Sequence, residues 1–176
     1  MNDVPQRICP GCRVTLDRRP WALDRDLRAS PECWHVYGLV SMFATEHPSL
    51  TALHQLTVDA YGAQHAGAPT PVIQVAYALV GLHLAVRCGL DGIMVRGVHQ
   101  RMGKPQPWWP GFDPPADPGA LTVADVLRGG AEADSVDGHA AQLHRWAESV
   151  WQAWSSRHDD VARLTERLFP GEFSAR

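Results

Sequence analysis

Ser30-Pro31-Glu32-Cys33-Trp34-His35-Val36-Tyr37-Gly38-Leu39-Val40-Ser41-Met42-Phe43 is the stretch in which the chain first acquires a period. Ser30 can cap a helix, Pro31 suits its first position, and Val36, Leu39, Val40 and Phe43 fall on one stripe, which predicts a helix over about 31–46. His47-Pro48-Ser49 ends it, because a proline disfavours helical backbone in the residue before it. Ser49 is expected to cap a second helix ending near Gly67, with Leu53, Leu56, Ala60 and Ala63 on one stripe and His54, Val58, Tyr61 and His65 on the next.

Beyond Ala68-Pro69-Thr70-Pro71 a third helix is expected to run to about Arg87, apolar on most sides and therefore central, with Gly89 as its stop. Six prolines between residues 103 and 119, around Trp108-Trp109, exclude regular structure there. That segment reads as a connecting loop packed on the helices, with a binding lid or groove as the alternative. Thr122 looks like the cap of a short helix through Leu127, followed by helices over about 136–156 and 158–168. The first 30 residues show no apolar period and no hairpin signal, so an irregular arm is expected. The prediction is all-α: one metal-binding domain over 1–176, a bundle of about four to five helices, with a knuckle arm (1–30) and a Pro/Trp-rich loop (103–120).

At 176 residues the chain does not need a metal merely to fold. A net charge of -3 offers no basic footprint for nucleic acid or an anionic membrane. There is neither a run of about 20 apolar residues nor the hydrophobic core of a secretory signal near Met1, so a cytoplasmic protein is expected. Thiols stay reduced there, which favours a metal knuckle or a redox pair over a disulfide framework.

Cys9-Pro10-Gly11-Cys12 carries the strongest chemical signal. Two thiolates separated by two residues can face one tetrahedral ion, for which zinc is the expected metal. A thioredoxin-like redox pair has the same spacing, but such pairs follow a strand and open a helix, and no strand is expected before Cys9. Cys33, at the start of a helix, is the best third ligand, whereas Cys88 reads as packing.

Helices 1 and 2 should be antiparallel about the turn near Pro48, which places His65 level with Cys33 and nominates it as the fourth ligand. His54 lies eleven residues from His65, about 16 Å along a helix, and cannot reach the same ion. His35 is the reserve ligand. The same folding-back argument sets His83 level with His54, where the two, with Asp59 orienting a ligand or moving protons, would make a second metal site or an acid–base pair. The plainer alternative is that each is a satisfied core or surface residue.

Cys9-Pro10-Gly11-Cys12, Ser30-Pro31-Glu32-Cys33-Trp34, His54-Gln55-Leu56-Thr57-Val58-Asp59-Ala60-Tyr61-Gly62-Ala63-Gln64-His65 and Trp146-Ala147-Glu148-Ser149-Val150-Trp151-Gln152-Ala153-Trp154 together resemble a family of small bacterial proteins of unknown function. Where that pattern has glycine after the second cysteine, this chain has Arg13. The resemblance implies that the cysteines and the 54–65 segment form one design, and it assigns no reaction. Helices contributing separate histidines are also similar in outline to the DinB-like metalloenzymes. The leading expectation is therefore a zinc enzyme activating water or a thiol on a small-molecule substrate. Its rivals are a structural zinc protein that binds a protein partner through the Trp-rich loop, and a metal or redox sensor.

Overall fold

A computed structural model describes residues 4–21, 28–103, 108–133 and 135–173. Among these residues lie seven α-helices and one small sheet, more helices than expected. Pro105 and Pro107 of the proline-rich stretch, and residues 22–27 of the arm, lie outside the described residues.

The first helix, α1 (Pro31–Glu46), begins with Ser30 accepting the Cys33 amide and Pro31 at the first helical position. Ser49 does not cap the next helix. Pro48–Leu53 instead forms a 3-10 turn, and α2 (His54–Gln64) continues from it without a side-chain cap. α3 (Val72–Leu82) widens into a π turn at His83–Arg87, and Gly89 closes it with a left-handed φ of 72°. Val75, Ala76, Ala78, Leu79, Val80 and Leu82 are all buried, which makes α3 the central element.

α4 (Gly92–Met102) is an additional helix beyond those expected; Asp91 caps it through the Met94 amide, and Val95, Val98 and Met102 form a buried stripe. α5 (Val123–Ala133) runs past Leu127 because Gly129 and Gly130 serve close packing there. A methyl on Gly129 would sit 2.6 Å from the Gln142 side chain, and one on Gly130 would sit 2.8 Å from the His139 ring. α6 (Val136–Ala153) buries Leu143, Trp146, Val150 and Trp151 against α2 and α5. α7 (His158–Leu168) follows a 3-10 turn at Ser155–Arg157.

The arm departs most from expectation. β1 (Gln6–Ile8) pairs antiparallel with β2 (Thr15–Asp17) in the register Gln6–Asp17, Arg7–Leu16, Ile8–Thr15. Three-residue strands are too short to show an alternating pattern in sequence, and the turn between them is a knuckle rather than a two-residue hairpin loop. The hairpin docks on α1 through Glu32, whose buried carboxylate accepts the Arg19 amide at 3.0 Å and lies 3.4 Å from the Arg7 guanidinium.

Candidate metal centre

The hairpin turn carries Cys9 and Cys12. Cys9 donates its amide to Val14 O at 2.8 Å, and Arg13 donates back to Cys9 O at 3.0 Å, so both thiols are presented on one side of the tip. Gly11 permits the approach to the helices, since a methyl there would lie 2.3 Å from Arg28 O and 2.4 Å from the His65 ring. Arg13 closes the turn at φ 64°, a conformation glycine adopts freely and other residues at a cost of about 1–2 kcal/mol. Its guanidinium donates to Ala116 O and so ties the knuckle to the proline-rich loop.

Cys33 comes from the first turn of α1 and His65 from the C-terminal cap of α2. The structure brings the donor atoms of Cys9, Cys12, Cys33 and His65 within 4.8 Å of one another, with all four residues buried. Cys12 Sγ lies 3.7 Å from Cys33 Sγ, and His65 Nε2 lies 3.5 Å from Cys9 Sγ and 3.4 Å from Cys33 Sγ. A tetrahedral ion with zinc-like bond lengths requires S···S edges of about 3.8 Å and S···N edges of about 3.6 Å. The spacing fits such an ion, and the four thiols of the chain are free rather than disulfide-bonded.

Surrounding groups orient these donors. His65 Nδ1 lies 2.9 Å from Tyr61 O; a carbonyl only accepts, so Nδ1 carries the proton and Nε2 offers its lone pair to the centre. The Tyr61 ring stacks on His65 at 3.9 Å, and its hydroxyl donates to Cys33 Sγ at 3.7 Å. The Ser30 amide donates to Cys9 Sγ at 3.4 Å. Hydrogen bonds from Cys12 and Cys33 hold the Cys9 thiol far below its ordinary value. A bond to Cys33 favours the Cys12 thiolate, but Cys9 and burial outweigh it and push Cys12 up to about 12. Cys33 is pushed up by Cys12, by Cys9 and by burial. A cation is what allows three adjacent sulfurs to be thiolates together.

The loop covers this corner. Gln64 donates to Pro118 O at 3.1 Å and Leu121 O at 2.7 Å while accepting the Trp146 indole at 3.0 Å, so one side chain joins α2, α6 and the loop beside His65. Pro114, Pro115 and Pro118 face Gly11 and Arg13 across a residual gap of only 10 Å³. The loop is thus a cover over the knuckle, while Trp108 remains 57% exposed and Trp109 packs on Tyr77.

The other predicted site residues separate. His54 is exposed at the start of α2, in a shallow cleft with Thr45 and Arg96, whereas His83 is buried against Trp151 and Cys88. Gly62 faces Ala78 and Asp59 faces Gly81, a register three residues away from the one that would set His83 level with His54. His35 is exposed and packs on Trp21. Asp59 is buried, but its neighbour is His99 of α4, a residue the sequence reading missed together with its helix. His99 Nδ1 lies 4.0 Å from Asp59 Oδ1.

A strand does precede Cys9, contrary to expectation, yet the chain returns as β2 instead of opening a helix, so the motif is a knuckle and not a redox turn. Fold and site together define a helical domain carrying a hairpin-borne Cys₃His centre. No curated protein and no solved structure matches the chain. A family model matches residues 7–155, and the protein belongs to that family, the family of unknown function DUF5946.

Proposed function

We propose that Cys9, Cys12, Cys33 and His65 hold one structural Zn²⁺ that clamps the N-terminal hairpin to the α1–α2 corner. The observation that carries this reading is the donor geometry: all four atoms lie within 4.8 Å of one another, and the Cys12–Cys33, Cys9–His65 and Cys33–His65 separations of 3.4 to 3.7 Å match tetrahedral edges for zinc with sulfur and nitrogen ligands. All four positions are taken by protein, and a zinc that activates water keeps one position open. The structural reading is therefore favoured over catalysis at this centre, and over a sensor, since Cys9, Cys12 and Cys33 are all buried. Three facing thiols belong in a reducing compartment, and we assign the protein to the cytoplasm on that chemistry.

Metal analysis of protein purified under reducing conditions tests this. One equivalent of zinc is expected, and cobalt substitution should give a tetrahedral spectrum with thiolate charge-transfer bands. Cys33→Ser should lose the metal. Protein that folds normally with no stoichiometric metal refutes the assignment.

A further inference from the structure

A groove of 400 Å³ runs between α2 and α3, away from the metal centre, with α4 at its floor. Val58, Gly62, Ile73 and Ala78 supply apolar walls; Gln55, Asp59, Gln74, Tyr77 and His99 are its polar members. Lysine and arginine are absent from this lining, so Asp59 is the one group there that can carry a negative charge and no side chain offers a permanent positive one. A volume of this size suits a small organic molecule.

Asp59 is the anomaly. Gln55 donates to its Oδ1 at 3.0 Å, but Oδ2 is buried with no hydrogen-bond partner. The backbone makes room for this bare oxygen, because a methyl on Gly81 would sit 2.0 Å from it. His99 does not neutralise the carboxyl: its Nδ1 stands 4.0 Å away, its Nε2 is buried without a partner, and burial holds the ring neutral by lowering its pKa to about 4. A buried carboxyl with an unused acceptor, at the end of an apolar groove, is costly unless something pairs with it.

We propose that this groove binds a small organic ammonium ion, its charged head against Asp59 and its apolar body along Val58, Ile73 and Ala78. An anionic ligand would find no cation among the lining groups. A metal ion would have only two strong donors, Asp59 and His99, the other polar members being the neutral Gln55, Gln74 and Tyr77. Tyr77 adds an aromatic ring on the lining, in tilted contact with His99 at 5.2 Å and Trp109 at 5.4 Å, of the kind that attracts organic cations.

Burial holds the Asp59 carboxyl well above the usual carboxylate range, against the Gln55 hydrogen bond that favours the charged form. An entering ammonium ion favours the carboxylate, so a proton held by Asp59 passes to solvent as its O–H bond breaks, and carboxylate and ammonium remain as the pair. The titratable groups that face Asp59 are His99 from α4, Tyr77 from α3 and Tyr37 from α1, whose phenol is pushed up chiefly by burial and also by the Asp59 charge. All three are neutral near pH 7, so proton release on ammonium binding is expected to come from Asp59.

The probes are benzylammonium, benzyl alcohol and phenylacetate, titrated calorimetrically into the zinc-loaded protein near neutral pH, in two non-amine buffers of different ionisation enthalpy. Benzylammonium should bind about tenfold or more tighter than the alcohol, and phenylacetate more weakly than either. The buffer difference should show proton release with the amine and none with the alcohol. Asp59→Asn should bring amine and alcohol within about twofold. Ile73→Arg, at an exposed position on the groove wall, should abolish amine binding while leaving zinc content unchanged. Equal affinity for amine and alcohol, no binding of any probe, or a preference that persists in Asp59→Asn overturns the proposal, as does a divalent ion bound at Asp59 in place of the amine. Zinc content, measured in the same samples, reports on the Cys₃His assignment separately.

Discussion

The Cys₃His corner and the Asp59 groove are both built on α2, six residues apart, and they are opposites. At the corner three of the four donors have an oriented partner outside the ligand set: His65 is set by Tyr61, Cys9 by Ser30, and Cys33 by Tyr61. In the groove, Asp59 Oδ2 and His99 Nε2 are buried and bond to nothing. A saturated polar cluster fixes structure, whereas an unsaturated one leaves interaction energy for a ligand. The motif His54–His65 therefore divides into two halves with different tasks, and changes that break one should spare the other.

The largest effect is expected for Cys33→Ser, which should remove the zinc and destabilise the fold by about 4 kcal/mol or more, a fall in Tm of about 10 °C. Amine binding by the part that remains folded should persist, and losing both together would show that the halves are not separate. Gln64→Ala comes next: it orphans the buried Trp146 indole and frees two loop carbonyls, for about 3 kcal/mol by thermal denaturation, with faster loss of zinc to a chelator. Gly81→Ala should cost about 1–3 kcal/mol by displacing the Asp59 carboxyl, end amine binding, and leave zinc content intact.

Smaller effects appear in the pH dependence. The raised Asp59 carboxyl keeps its proton in the folded state after the unfolded chain has lost it, so its contribution falls as pH rises above 3.8. His99 works the other way, because its lowered pKa costs stability as pH falls from 6.5 towards about 4. Between those limits the two slopes oppose each other. Asp59→Asn removes one of them: relative to the parent its Tm should rise with increasing pH, and its loss on acidification should be steeper. Parallel Tm–pH curves would mean that Asp59 is ionised in the fold. The smallest effect on stability is expected for Arg13→Gly, where relief of a left-handed side-chain position and loss of the bond to Ala116 roughly cancel.

How much of this was legible depended on whether a residue's role is local. The Ser30-Pro31 start of α1 and the span of α7 are set by caps and period within a few residues, and the sequence located both. His65 was reachable because a single turn relates α1 to α2. His83 was not, because the α2–α3 connection sets a register three residues away from simple folding back about Pro69. β1 and β2 are too short to leave a period, and their register is set by the knuckle they flank. His99 was lost with α4, whose cap at Asp91 and stripe of Val95, Val98 and Met102 were readable but followed too closely on the Gly89 stop. Nothing local marks Asp59 as bare; that depends on Gly81, 22 residues away, offering no side chain.

The cover laid by Pro114, Pro115 and Pro118 changes what holding a metal means for this protein. The four ligands lie within the first 65 residues of the chain, but the segment that roofs them comes about fifty residues later, and Arg13 and Gln64 fasten it down. Loading can precede roofing during synthesis, whereas unloading must wait for the roof to lift. Arg13→Gly, neutral in stability, should for that reason speed zinc transfer to a chelator: the strained arginine acts as a latch on a clock, setting how long the ion stays rather than how tightly it binds.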